Sequence, residues 1–210
     1  AAHAPDRTWY AGPWKYTVIF SYSGGPGHEG LDVADVNGDG KVDIVGAGYW
    51  FEHSGGTRCV PHRISERPNT RTATGQLVPG GRPEVVISPG DSDGPLQWYG
   101  WDGRRWIAHQ LHEKIIHGHT LQVADVNGDG HLDVFSGEMG SPGAGENCKT
   151  RIYWGDGTGK LTEQVIATGK ANHESRLGDL DGDGDLDVLG KPYSYGTPGL
   201  HVWLQDGRRK

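Results

Sequence analysis

A chain of 210 residues is long enough for one domain with a substantial core, and its 36 glycines and 12 prolines are too many for a helical protein. They are not periodic enough for collagen, and eight Trp and eight Tyr speak against disorder. The net charge of −7, with no basic stripe, argues against a nucleic-acid partner, and no apolar run is long enough for a membrane span. The first ten residues, AAHAPDRTWY, would suit a mature chain cut after a small-residue site. WKYTVIF (14–20) alternates like a strand. LDVADVNGDGKVDIVGAG (31–48) then reads as strand, tight acidic turn, strand, and YWFEHSGGTRCVPHRI (49–64) as a looser aromatic hairpin. TATGQLVPGGRPEVVISP (72–89) and WYGWDGRRWIAHQL (98–111) repeat that order, although the carboxylates of the turn are gone and Gln76 stands in the place of Asp35. LQVADVNGDGHLDVFSGE (121–138) with IYWGDGTGKLTEQVI (152–166) is the third copy. SRLGDLDGDGDLDVLGKP (175–192) with HVWLQDGRRK (201–210) is the fourth.

One unit is therefore a four-stranded antiparallel meander, and four in a row predict an all-β chain, a small β-propeller. The expected blades are 29–65, 70–112, 118–168 and 174–206, with 14–20 closing the last one; four blades are counted and five remain open. Self-association could also complete the ring.

The turns DVNGDGKVD (35–43), DVNGDGHLD (125–133) and DLDGDGDLD (179–187) carry oxygen side chains at positions 1, 3, 5 and 9, with glycine at 6. That is the opening of an EF-hand-like calcium loop, and such closely spaced carboxylates repel unless a cation lies between them. An Asp-Gly hairpin needs no metal, but three copies of one ligand spacing favour calcium, about three ions in all. The expected ligand sets are Asp35, Asn37, Asp39 and Asp43; Asp125, Asn127, Asp129 and Asp133; and Asp179, Asp181, Asp183 and Asp187. Calcium loops in turn favour an extracellular or periplasmic location. These residues resemble the FG-GAP/VCBS repeat of integrin-type propellers, whose fold and calcium binding the resemblance implies for blades 1, 3 and 4.

A strand of about seven residues separates its ends by roughly 20 Å, so the histidines of HGHTLQVADVNGDG belong to the rim opposite the acidic turn. Ahead of the first strands stand His28 and Glu29, His117 and His119, His173 and Glu174. Counted back from the first acidic ligand, His119 and His173 are in register, with Glu29 and Thr70 at the equivalent places. Glu138, Lys191 and Tyr193 follow second strands at the same rim, as do Asp91 and Asp93 in blade 2. The longer connections open there too, which usually marks a working face. Imidazole and carboxylate suit a further divalent metal such as zinc or magnesium, held by His119, His173 and Glu29 or Glu138. Tyr49, Trp50 and Tyr195 could stack on a sugar ring, with Glu174 beside them. Trp98, Trp101, Trp106, Trp154 and Trp203 recur at outer positions and read as packing between blades. Cys59 and Cys148 fall at opposite rims and should not pair.

The rim also resembles, more distantly, the propeller of aldos-2-ulose dehydratase-like enzymes, through GHEGLDVADVNGDG, GHTLQVADVNGDG and NHESRLGDLDGDGD. That resemblance implies a carbon–oxygen lyase acting on an oxidised sugar, with His28, His117 or Tyr193 as base and Lys191 stabilising an enolate oxygen. A calcium-stabilised lectin or adhesion module is the alternative, and a purely structural partner-binding domain is a third. The partner in the first two readings is a carbohydrate or a sugar-derived small molecule.

Overall fold

The computed structural model describes residues 14–21, 29–67, 70–193 and 199–206. Blade 1 comprises β1 (Leu31–Ala34), β2 (Asp43–Gly46), β3 (Tyr49–Gly55) and β4 (Arg58–Arg63). Blade 2 comprises β5 (Thr70–Gly75), β6 (Glu84–Pro89), β7 (Asp93–Trp101) and β8 (Trp106–Ile116). Blade 3 is β9 (Thr120–Ala124), β10 (Asp133–Gly137), β11 (Lys149–Gly155) and β12 (Leu161–Thr168); blade 4 is β13 (Arg176–Gly178), β14 (Asp187–Gly190) and β15 (His201–Trp203). Each blade is an antiparallel meander in chain order, the architecture of a small propeller. The first pair of strands has one register throughout. Ala34 faces Asp43, Gly75 faces Glu84, Ala124 faces Asp133 and Gly178 faces Asp187, so every acidic turn, and its degenerate copy in blade 2, occupies the same place.

The alternating apolar residues of each blade bury between neighbours. Val36, Val45, Trp50 and Ile64 meet Val85, Ile87 and Tyr99 across blades 1 and 2. Leu77, Val86, Leu96, Trp98 and Ile115 meet Val134 and Tyr153 across blades 2 and 3. Val126, Phe135 and Ile152 meet Val188 across blades 3 and 4, with Trp154 and Trp203 at the margin. Each fully buried aliphatic or aromatic side chain contributes about 1.5–3 kcal/mol. Polar bonds stitch the inner strands: Asp32 Oδ2 accepts from the Thr74 amide and hydroxyl, and Gln122 Oε1 from the Leu177 amide. Gly75 lets β5 approach β9, since a Cβ there would stand 2.6 Å from Val123 Cγ1. Cys59 and Cys148 are both unpaired.

The expected closure by 14–20 is not what the structure has. That segment forms no strand, and among the described residues blade 4 has three strands. The Phe20 ring instead packs 5.5 Å from Tyr49 and 5.2 Å from Phe51, against the first blade rather than the last. Leu31 and Val33 are exposed, whereas the residues matching them in blade 3, Leu121 and Val123, pack against blade 2.

The ninth residue of each acidic turn is a buried clamp. Asp43 accepts from the amides of Val36 (3.1 Å) and His53 (2.8 Å), one on each oxygen. Asp133 does the same with Val126 and Gly155, and Asp187 with Leu180 and Gln205. All three are 0% exposed. Blade 2 keeps this feature while lacking the other carboxylates, because Glu84 Oε2 accepts from the Val78 amide at 3.2 Å. The reading that blade 2 loses its carboxylates is corrected at this position. Replacing Asp133 with alanine should orphan two backbone amides at about 1–3 kcal/mol each, with Asp133→Asn costing less. Urea unfolding in chelator measures this loss apart from any metal.

Candidate functional site

The histidine mouth is built by the turns that lead into the inner strands. His117 adopts a left-handed φ of 46°, and its carbonyl accepts from the amides of both His119 and Met139 at 2.9 Å. Gly118 follows because a Cβ there would lie 2.3 Å from Ser88 Oγ. Across the next blade, Thr120 Oγ1 donates to the His173 carbonyl at 3.0 Å, and the His173 amide donates to the Lys191 carbonyl at 2.8 Å. These bonds stack the His119 and His173 rings 4.3 Å apart at 16°.

His119 sits in a ring of charge. Arg71 Nη2 lies 2.5 Å from its Nδ1 and 2.9 Å from its Nε2, and Asp91 Oδ1 lies 2.9 Å from Nε2. A neutral imidazole satisfies both, accepting on one nitrogen and donating from the other. Glu29 Oε2 is 3.5 Å from His119 Nε2 and 3.5 Å from Arg71 Nη2. Glu174 flanks His173 at 3.9 Å. The Tyr193 ring is 4.8 Å from His173. Glu29, Asp91, His117, His119, His173 and Tyr193, with Met139 and Pro142, line a cavity of about 470 Å³. A second cavity of about 390 Å³ shares His119 and is lined by inner-strand residues including Asp32, Arg71, Thr72 and Gln122.

Burial lowers the pKa of His119 below that of an ordinary imidazole; Arg71 and His173 add to the effect and Asp91 opposes it. Burial also lowers His173, against the pull of Glu174. Glu29 is raised by burial first, with Asp91 and Glu174 adding and Arg71 opposing. For a histidine held low, the unfolded chain binds the proton more tightly. Its contribution to stability therefore falls as pH drops through the ordinary value of about 6.5 towards the folded value. In metal-free protein, NMR titration should place both imidazole midpoints below about 6.5, and Arg71→Met should raise that of His119.

The structure thus brings together Glu29, His117, His119, His173, Glu174 and Tyr193 from the sequence-derived set. Others lie elsewhere. Glu138 is 3% exposed, accepts from the amides of Ile116 and Lys149 and pairs with Arg151, so its expected place as a rim ligand is corrected to a buried support. Lys191 donates from Nζ to the Pro192 carbonyl and does not line the mouth. Tyr49 lies under the Arg63 guanidinium at 4.2 Å, and Trp50 is buried between blades, stacked 4.3 Å from His62. Neither reaches the mouth. His28 and Tyr195 lie outside the described residues. Arg71 was missed; it directly follows Thr70, the blade 2 residue in register with His119, and that adjacency was the available signal.

Two donor sets have their ligand atoms within 4.8 Å of one another: His119, His173 and Glu174, and Glu29, Asp91 and His119. Mixed imidazole and carboxylate donors fit zinc or another first-row divalent ion. The acidic turns fold their first carboxylate inwards. Asp35 accepts from the amides of Gly38, Asp39 and Gly40, Asp125 from those of Asp129 and Gly130, and Asp179 from those of Gly182 and Gly184. Asp179, Asp181 and Asp183 also bring their oxygens within 4.8 Å of one another, as a hard oxygen-binding ion needs. In the first turn Lys41 Nζ already lies 2.9 Å from Asp39.

Residues 125–190 match the FG-GAP-like repeat family. No curated protein sequence matches the chain. Among solved structures it is similar to an Agrocybe aegerita lectin, described for its specific recognition of non-reducing terminal N-acetylglucosamine. The TM-score is 0.57 at 20% identity, over 87% of this chain and 50% of that one. The likeness is one of fold, and the chain spans half the length of that lectin.

Proposed function

Because the chain is a β-propeller of the FG-GAP-like repeat type, we propose that it is a secreted carbohydrate-acting module whose working face is the histidine mouth, where a metal-assisted elimination takes place. The observation that carries this reading is the single, asymmetric convergence of two stacked imidazoles, three carboxylates, a guanidinium and a tyrosine, which no other blade repeats among the described residues. A lectin with equal pockets would repeat its contacts around the ring. A divalent ion held by His119 and His173 with Glu174, or by His119 with Glu29 and Asp91, would polarise a carbonyl or carboxylate oxygen of the sugar.

The chain's own groups do the rest. Tyr193 or His117, both at the mouth, takes the proton beside that carbonyl. The released pair forms the C=C bond, the C–O bond at the next carbon breaks, and the leaving oxygen takes a proton from water. Arg71, held against His119 in the adjoining cavity, would stabilise the oxygen that gains charge, the part the sequence assigns to Lys191. The test is an ultraviolet absorbance time course on keto-sugars and uronic-acid glycans with calcium and zinc present. A conjugated product rising in proportion to protein is expected. A flat trace with sugar binding retained would leave the lectin reading, in keeping with the lectin neighbour.

Calcium at the three acidic turns belongs to the same proposal. Three ions per chain are expected by elemental analysis, with a higher Tm in calcium than in chelator. Asp183→Ala, at a position that is Asp in all three turns, should lower the count by one, whereas Gln76→Ala in blade 2 should leave it unchanged.

A further inference from the structure

We propose that a second site, the cleft between blades 1 and 2 on the acidic-turn side, binds a sugar ring bearing a carboxylate or a sulfate. The cleft encloses about 730 Å³ and is lined by Trp50, Trp101 and Trp106 together with Arg63, Arg82, Arg104 and Arg105. Trp101 and Trp106 meet edge-on at 5.6 Å. The Arg82 guanidinium lies 4.4 Å over the Trp101 ring and 5.4 Å from Trp50. This places a planar cation beside aromatic faces, the equipment for a pyranose ring and its anionic substituent.

The charge balance favours an anion. Glu52, the carboxylate in the lining, is engaged by His62 at 2.8 Å and by Asn37 at 3.3 Å. Arg63 is paired with Glu66 and Arg105 with Asp102, at 3.5 and 3.9 Å. Arg82 and Arg104 have no carboxylate partner among the described residues, in a chain whose net charge is −7. Two free guanidinium forks can grip a carboxylate or a sulfate through paired hydrogen bonds.

Arg82 is what sets this cleft apart, since the DGRR turn that supplies Arg104 and Arg105 (102–105) recurs in the sequence of blade 4 (206–209). Among the described residues, the corresponding cleft between blades 3 and 4 holds Trp154 and Trp203 with Gln164, Val165 and Gln205, and no arginine. Arg82 stands where Lys41 and His131 stand in the neighbouring turns, but its turn has Gln76, Val78 and Gly80 in place of the oxygen ligands. The carboxylate that blade 2 keeps in this turn, Glu84, is buried and bonded to the Val78 amide, and it does not pair with Arg82 among the described residues.

This site does not depend on the histidine mouth, and calorimetry on the full chain separates the two. The probes are trigalacturonate for carboxylate, a κ-carrageenan tetrasaccharide for sulfate and neutral galactotriose, all in 0.15 M salt. At least one anionic probe should bind with quenching of tryptophan fluorescence, and galactotriose should bind at least about tenfold more weakly. Binding of one anionic probe or both supports the site and names the group it reads. Arg82→Gln with Arg104→Gln, and separately Trp101→Ala, should each weaken that binding by about tenfold, while His119→Ala with His173→Ala leaves it unchanged. Equal binding of galactotriose, no binding of either anion, indifference to the arginine pair, or loss through the histidine pair would each overturn the proposal. Indifference to Trp101→Ala would do so as well, since it would reduce the contact to unspecific charge attraction.

Discussion

Glu138→Ala is expected to destabilise the fold by about 3–5 kcal/mol, the cost of orphaning two backbone amides and of removing one of the two carboxylates that pair with buried Arg151. Arg151 is 3% exposed, with Nη1 3.2 Å from Glu138 Oε2, and its Nε reaches Glu163 at 2.9 Å. Glu138 also accepts from the amides of Ile116 and Lys149 at 2.9 Å, so one carboxylate ties the end of β8 to the start of β11. Alanine removes all three partners at once and opens a void beneath the mouth. Glu138→Gln keeps an acceptor for one amide and should lose about half as much. Urea unfolding with chelator present reads the effect directly, against a total stability of about 5–15 kcal/mol for a domain. If Glu138 were a rim ligand, the loss would appear in zinc affinity, with stability in chelator spared.

That residue also shows where reading the sequence stops. The depth of a residue in a propeller is legible, because repeats in register place matching positions at matching heights. His119 and His173 could be assigned to one rim by counting, and their rings do stack. Direction around the blade is less legible. Glu138 lies at a similar height, but it follows β10, the second strand, and turns into blade 3 instead of towards the axis. Trp50 shows the same limit: it directly follows Tyr49, and that one step along the strand turns it into the interface with blade 2. The segment 14–20 has the alternation of a strand, yet alternation does not say which apolar face will receive it, and Phe20 went to blade 1. The ninth carboxylates were ambiguous in another way. A ligand and a clamp need the same residue at the same spacing, and only blade 2, where Glu84 keeps the amide bond to Val78 without the rest of the ligand set, separates the two roles.

His119→Ala with His173→Ala should abolish zinc retention at the mouth and lower any elimination activity by about three orders of magnitude, in line with the several kcal/mol of charge stabilisation a Lewis acid supplies. The single variants should differ. His119 belongs to both donor sets, so no complete set survives His119→Ala, whereas Glu29, Asp91 and His119 remain after His173→Ala. Stability should change little in comparison. With the His119 ring gone, Arg71 and Asp91 face one another across the space it filled and can pair directly, so the loss stays near about 1 kcal/mol. Zinc content after dialysis, Tm in chelator and initial rates, measured on the same three variants, separate these effects. A double variant that keeps its zinc places the ion elsewhere. One that loses zinc and keeps its rate removes the metal from the chemistry and leaves the proton transfer to Tyr193 and His117 alone.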